Sequence, residues 1–215
     1  LVGGHYDTVR SVVGAHDNAA GTAIILELAR IFAPEKLNRT LRLVAFGSEE
    51  LGLCGSFKHA ENQDNIKNVK LYLNLDVHGI LLSNLTATLL GSEDLKSFLR
   101  FTAKELGIQL QITSELGLGG SDHMPMTFHG VPSISLSQLG GATQIMHTSL
   151  EDLRWCDQDA LAPVGKLSQT LLDRLLKAGE LPFEKDIPAD IMKTLERRFE
   201  DVGIRRKPKK AASES

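Results

Sequence analysis

Short apolar runs and longer stretches of helical spacing take turns along the 215-residue chain. Leu1-Val2-Gly3-Gly4 reads as the end of a strand and leads into a Gly/Asp-rich loop. From about Ala19 to Phe32, the apolar residues Ile24, Ile25, Leu28, Ala29 and Phe32 recur on one helix face. Asn38-Arg39 then turns the chain into Thr40–Phe46, an apolar run suited to a buried strand. A helix around Ser56–Ala60 follows, then strands over Lys70–Leu75 and Leu85–Leu90. Ser92 is placed to cap a helix running to about Leu106, with Gly107 stopping it. Gln109–Thr113 and Pro132–Ser137 are the last predicted strands. A long helix over Gln158–Lys177 tolerates Pro163 near its first turn. Such alternation predicts the α/β class: a three-layer α/β/α sandwich around a mixed, mostly parallel sheet.

Length and composition narrow the picture further. At 215 residues one substantial domain fits better than two small ones. The predicted compact unit is 1–180, followed by a helical extension over 181–204 between Pro182, Pro188 and the amphipathic Ile191–Phe199. Residues 205–215 read as a disordered basic tail. Because the chain opens inside a strand without Met, an N-terminally truncated domain is expected, and the absence of a signal peptide carries no message about export. A net charge of −3 speaks against a nucleic-acid partner, and no apolar run is long enough to span a membrane. Cys54 and Cys156 are too few for a disulfide framework, so two free thiols are expected. The sequons at Asn38-Arg-Thr40 and Asn84-Leu-Thr86 matter only in a secreted eukaryotic protein.

The candidate chemistry lies at predicted strand ends. His5-Tyr6-Asp7 follows the first strand and Asp17 sits in the loop after it. Glu49 and Glu50 follow Thr40–Phe46, Asp76 follows Lys70–Leu75, and His147 lies beyond Pro132–Ser137. In open α/β sheets ligands bind at the carboxyl ends of strands, so these segments converge on one edge. A Glu-Glu pair alone after a strand is ordinarily a solvated loop, and a His-x-Asp alone an exposed polar pair; the joint pattern is a nitrogen/oxygen donor set for zinc, with cobalt or manganese as substitutes. Two ions close together need a shared carboxylate, for which Asp17 is the candidate. His5 and Asp76 would complete one ion, Glu50 and His147 the other. Asp7 is placed to accept the second imidazole N–H of His5, and Glu49 to stay off the metal as general base.

Other features weigh less. His16 reads as a loop residue, His78 as packing behind Asp76, and His59 and His129 as ordinary surface positions. Asp122 and His123 could line the site, approached through Gly117, Gly119 and Gly120. No phosphate-binding glycine motif or nucleophile elbow occurs, which disfavours nucleotide binding and Ser-His-Asp hydrolysis.

At these residues the chain resembles the M28 metallopeptidase family. The resemblance is carried by Gly4-His-Tyr-Asp-Thr-Val9, Gly14-Ala-His-Asp-Asn-Ala-Ala-Gly21, Phe46-Gly-Ser-Glu-Glu-Leu-Gly-Leu53, Asn74-Leu-Asp76, Ser121-Asp-His-Met-Pro125 and His147-Thr148 with Asp152 close behind. It implies a phosphorylase/hydrolase-like zinc peptidase fold, two zinc ions held by His5, Asp17, Glu50, Asp76 and His147, and Glu49 as general base. The implied activity is hydrolysis of the peptide bond beside a free N-terminus. A glutaminyl cyclase using one zinc, or a non-catalytic receptor or scaffold on the same fold, is the alternative. Family members often carry Asp or Asn at the position of His16 and Tyr at that of Met146, and usually have a further N-terminal segment. The resemblance leans toward a secreted or extracytoplasmic setting, with a cytoplasmic one open. Side-chain preference and oligomeric state are not encoded in these motifs.

Overall fold

Buried strands of a parallel sheet read as continuous apolar runs because both faces are covered, and the short runs of this chain form such a sheet. The computed structural model describes residues 1–116, 120–201 and 203. Among them are β1 (Val2–His5), β2 (Leu43–Phe46), β3 (Tyr72–Leu75), β4 (Ser83–Leu90), β5 (Gln111–Thr113) and β6 (Ser133–Gly140). They form one sheet in the order β2-β1-β3-β6-β4-β5. β2, β1, β3 and β6 are mutually parallel. β4 runs antiparallel to β6, from Ser83 opposite Gly140 to Leu90 opposite Ser133, and β5 is parallel to β4.

Helices cover both faces. α1 (Gly21–Phe32), α4 (Glu93–Glu105) and α6 (Gln158–Lys177) share one core with Val2, Leu73, Leu75, Ala87, Leu89, Ile134 and Leu136. On the other side α2 (Cys54–Glu61), α3 (Gln63–Ile66) and α5 (His123–Phe128) pack around Phe46, Tyr72 and Val131, and α7 (Ala189–Asp201) closes over α2 and α5. The result is the expected three-layer sandwich. Ser92 caps α4 by accepting from the Leu95 N–H at 3.3 Å, and Gly107 ends it with φ +67°. Both cysteines are free thiols. No helix among the described residues is long and apolar enough to cross a membrane.

Several elements differ from expectation. β2 begins at Leu43, and as an edge strand paired only with β1 it leaves Leu43 and Ala45 exposed. β6 extends to Gly140 because β4 supplies an eight-residue antiparallel partner. α5 was not anticipated; its six residues are too few to display a helical period. The expected tail at 205–215, together with Gly117 and Gly119, lies outside the described residues.

Beyond the strand ends, the sheet is tied to α1 by one buried side chain. Asn18 Nδ2 donates to His5 O at 3.3 Å and Leu75 O at 2.9 Å, while Oδ1 accepts from Gly21 N at 3.1 Å and Val77 N at 3.3 Å. Gly21 is needed there, since a Cβ would collide with Asn18 Oδ1 and Leu75 O.

Asn18→Asp keeps the shape but removes both donors and sets a carboxylate against two carbonyl oxygens. It is expected to cost about 3 kcal/mol or more, read as a lower urea midpoint at unchanged m-value. A loss below ~1 kcal/mol would contradict this role.

Candidate metal centre

The parallel part of the sheet delivers the acidic and imidazole groups to one place. His5 is the last residue of β1. Asp17 lies in the irregular helical turn Ala15–Ala20, where non-helical angles at Asp17 and Asn18 bend the chain across the sheet edge. Glu49 and Glu50 follow β2, Asp76 follows β3, and His147 follows β6 and a short 3-10 turn, Gly141–Ile145. The strands that run the other way, β4 and β5, contribute none.

Asp17 stands at the centre. Its Oδ1 is 2.9 Å from His5 Nε2 and its Oδ2 is 2.9 Å from His147 Nε2. His5 Nε2 is also 3.0 Å from Asp76 Oδ1, and His147 Nε2 is 3.4 Å from Glu50 Oε2. Two donor groups result, His5–Asp17–Asp76 and Asp17–Glu50–His147, with the donor atoms of each within 4.8 Å of one another and Asp17 common to both. His5, Glu49 and Glu50 form a third such group. Glu50 Oε1 is buried with no hydrogen-bond partner among the described residues. Imidazole and carboxylate donors in this crowd, with one buried oxygen unspent, fit zinc.

The electrostatics point the same way. Burial pushes Glu49 up to about 9, with repulsion from Asp76 added, and Glu50 up to about 6, with repulsion from Asp17. For His5 burial disfavours the charged form, but hydrogen bonds to Asp17 and Asp76 outweigh it and carry the imidazole up to about 12. Glu49 thus keeps its proton at neutral pH unless a cation joins the cluster.

The surrounding groups orient this set. Tyr72 Oη donates to Asn74 Oδ1 at 2.8 Å, Asn74 Nδ2 to Ser121 Oγ at 2.7 Å, and Ser121 Oγ to Asp76 Oδ2 at 2.5 Å. The expected partnership of Asp7 takes a different form. His5 Nδ1 is 3.0 Å from the backbone oxygen of Asp7 and 3.7 Å from its carboxylate. That carboxylate instead accepts from the Glu49 and Glu50 N–H groups at 3.2 and 3.4 Å, because the turn after β2 presents two unpaired N–H groups to it. Asp7 therefore holds His5 through its main chain and the two glutamates through its side chain.

Asp122 and His123 are buried and do not line the cavity, whose wall Gly120 and Met124 form at this point. Burial raises Asp122 to about 7 and lowers His123 to about 4. His16 is fully buried rather than a loop residue, its carbonyl accepting from His78 N at 3.2 Å. His78 is also fully buried and lowered to about 4 by burial. His59 and His129 are half-buried, edge-on to Phe46 and Phe128 at 5.4 and 5.5 Å, so neither is an ordinary surface position.

Two features escaped the motif reading. Glu151 is completely buried and accepts from the N–H groups of His16, Asp17 and His147, whereas Asp152 turns outward to Arg154. The signal was an acidic residue four after His147, masked by its acidic neighbour. The cavity above the cluster, about 770 Å³, is also walled by Leu53, Phe57, Met146 and, from α7, Arg198 and Phe199.

The sequence pattern of peptidase family M28 matches residues 1–172. Aminopeptidase YwaD of Bacillus subtilis is 27% identical over 210 residues, covering 92% of this chain and 45% of its own. The crystal structure of BSAP, a zinc aminopeptidase from Bacillus subtilis, superposes with a TM-score of 0.73 at 29% identity, covering 88% of this chain and 48% of its own. A glutaminyl cyclase from an Acidobacteriales bacterium shares the fold, with a TM-score of 0.69 at 23% identity over 80% of this chain and 67% of its own. The chain spans about half the length of the aminopeptidases it matches.

Since a ligating imidazole must be neutral and His5 is held protonated up to about 12, metal and proton compete for it. Zinc loading at pH 7 is expected to release the protons of both His5 and Glu49, about two per chain, with apparent affinity rising by more than about tenfold per pH unit between pH 6 and 8. Calorimetry in buffers of different ionisation enthalpy measures this. Heats that do not depend on the buffer would exclude displacement of a His5 proton.

Proposed function

Because this chain belongs to peptidase family M28, we propose that it forms the catalytic part of a two-zinc aminopeptidase acting on peptides with a free N-terminus. The observation that carries the reading is Asp17, whose two oxygens each stand 2.9 Å from a different imidazole. One carboxylate shared between two donor groups is what a pair of ions requires, and what a single-zinc cyclase does not. The zinc aminopeptidase of Bacillus subtilis supports zinc as the metal, with cobalt or manganese able to replace it.

His5, Asp17 and Asp76 would hold one ion, and Asp17, Glu50 and His147 the other. When bound, the metal supplies Lewis acidity, making water acidic enough to ionise near neutral pH and drawing charge from the scissile carbonyl. The chain's own groups do the rest. Glu49 lines the cavity and is poised high, at about 9, before the cluster is neutralised. It takes the proton of the attacking water and returns it to the leaving amine. Asp7 keeps Glu49 and Glu50 apart in role by fixing the backbone of both. The acidic floor attracts the substrate ammonium, and the apolar wall of Leu53, Phe57, Met124 and Phe199 accommodates an apolar first side chain. Met146 also lines the cavity, so that position offers no hydroxyl to the developing oxyanion.

Elemental mass spectrometry of protein purified without chelator is expected to find two zinc ions per chain. Glu49→Gln should keep both ions and lower kcat on leucine p-nitroanilide by about 1,000-fold, in the range of a lost general base. Activity of that variant within tenfold of wild type would remove Glu49 from the mechanism. A single ion together with cyclisation of N-terminal Gln peptides would favour the cyclase.

A further inference from the structure

Glu151 has no part in the reaction just described, yet its position is costly. A carboxylate with no exposed surface loses its hydration and must be compensated inside the protein. The compensation comes from two segments far apart in sequence. Oε1 accepts from His16 N at 3.2 Å and Asp17 N at 3.0 Å, and Oε2 accepts from His147 N at 3.1 Å. Those backbone groups need an outside acceptor. His16 and Asp17 lie in the first turn of the Ala15–Ala20 segment, where helix N–H groups have no partner within the helix. His147 sits at φ +64°, a left-handed conformation that a non-glycine residue keeps only when its surroundings hold it there.

The segments gripped in this way carry two of the groups that meet at 2.9 Å, Asp17 Oδ2 and His147 Nε2. We propose that Glu151 is a positioning residue for the metal centre: its carboxylate clamps the Asp17 and His147 backbones together and so assembles the Asp17–Glu50–His147 position. This rests on the two-metal reading above. The hydrogen bonds that Glu151 accepts come from backbone N–H groups; it acts through the main chains of the two ligands, and its effect falls on one ion more than the other. His5 and Asp76, which complete the other position, belong to strand ends that Glu151 does not contact. Asp152 cannot substitute, since both of its oxygens face the Arg154 side chain, at distances down to 2.7 Å.

Glu151→Gln separates this role from simple packing. The amide oxygen can still accept from His16 and Asp17, but the NH2 then opposes the His147 N–H, donor against donor, and releases the His147 segment. Glu151→Asp keeps the charge on a shorter arm and should behave as an intermediate case. Zinc titrations of wild type and both variants, with bound zinc counted by elemental mass spectrometry and folding followed by circular dichroism, test the idea. The expected result is one ion held as in wild type and the second weakened at least tenfold in Glu151→Gln, within the usual range for groups that orient metal ligands, and less in Glu151→Asp. A lower melting temperature with both ions bound at wild-type affinity would make Glu151 a packing residue and overturn the proposal. If Glu151→Gln does not fold, Glu151→Asp decides by the same criterion. A wild type that binds only one ion would defeat the two-metal reading, and the clamp would then be judged on that ion: an unchanged Kd in the variants overturns it, a raised Kd upholds it.

Discussion

The carboxamide of Asn18 is the tie on which the ligand-bearing edge depends. Where β1 and β3 leave the ladder, their last carbonyls have no strand to pair with, and buried backbone groups without partners are costly. Asn is suited to the place because it offers two donors and an acceptor on one short arm. It spends them on His5 O, Leu75 O, Gly21 N and Val77 N, joining two strand ends to the start of α1. Asp17 immediately precedes it and is thereby held over the sheet edge, between His5 and the segment that brings His147.

That arrangement collects more negative charge than a protein interior tolerates unaided. Removing an ion from water costs several kcal/mol even after relaxation, and Glu49, Glu50 and Asp122 all respond by rising above the usual carboxylate range. Local backbone strain accompanies the crowding. Ser48 beside Glu49, Val77 beside Asp76, and His147 itself take positive φ, and for a β-branched residue such as Val77 that conformation is rare. The fold concentrates both costs at one edge while α1, α4 and α6 bury an uninterrupted apolar core beneath it. Stability made in the core thus sustains a site that is unfavourable without its metal.

What the sequence made legible follows from this division. α1, α4 and α6 are long enough for their apolar spacing to show, and strand ends in a parallel sheet are predictable places for ligands, so His5, Asp17, Glu50, Asp76 and His147 could be brought together before any coordinates. Around the site the differences are questions of which way a group faces. Asp7 was expected to serve His5 with its carboxylate, but the turn after β2 offers two N–H groups that compete for it. Between Glu151 and Asp152, motif spacing could not say which turns inward; Asp152 caps the short 3-10 turn Leu153–Trp155, which directs it to solvent. α5 and the packing of His59 and His129 depend on contacts between distant segments, which leave no period in the chain.

α7 shows how such a site can change its preferences without changing its chemistry. It lies beyond residue 172, where the family pattern ends, and is held by Ile191, Leu195 and Phe199 against α2 and α5. Phe199 packs edge-on against Phe57 at 4.9 Å and Phe128 at 5.1 Å, and both Phe57 and Phe199 face the cavity. The same aromatic contacts that fasten the helix therefore shape the space in front of the imidazole and carboxylate cluster. Arg198 and Phe199 contribute that wall from α7, whereas His5 and Asp76 are held from the sheet side by Asn18 and Ser121. The donor cluster and the apolar wall that faces it thus belong to separately supported parts of one cavity.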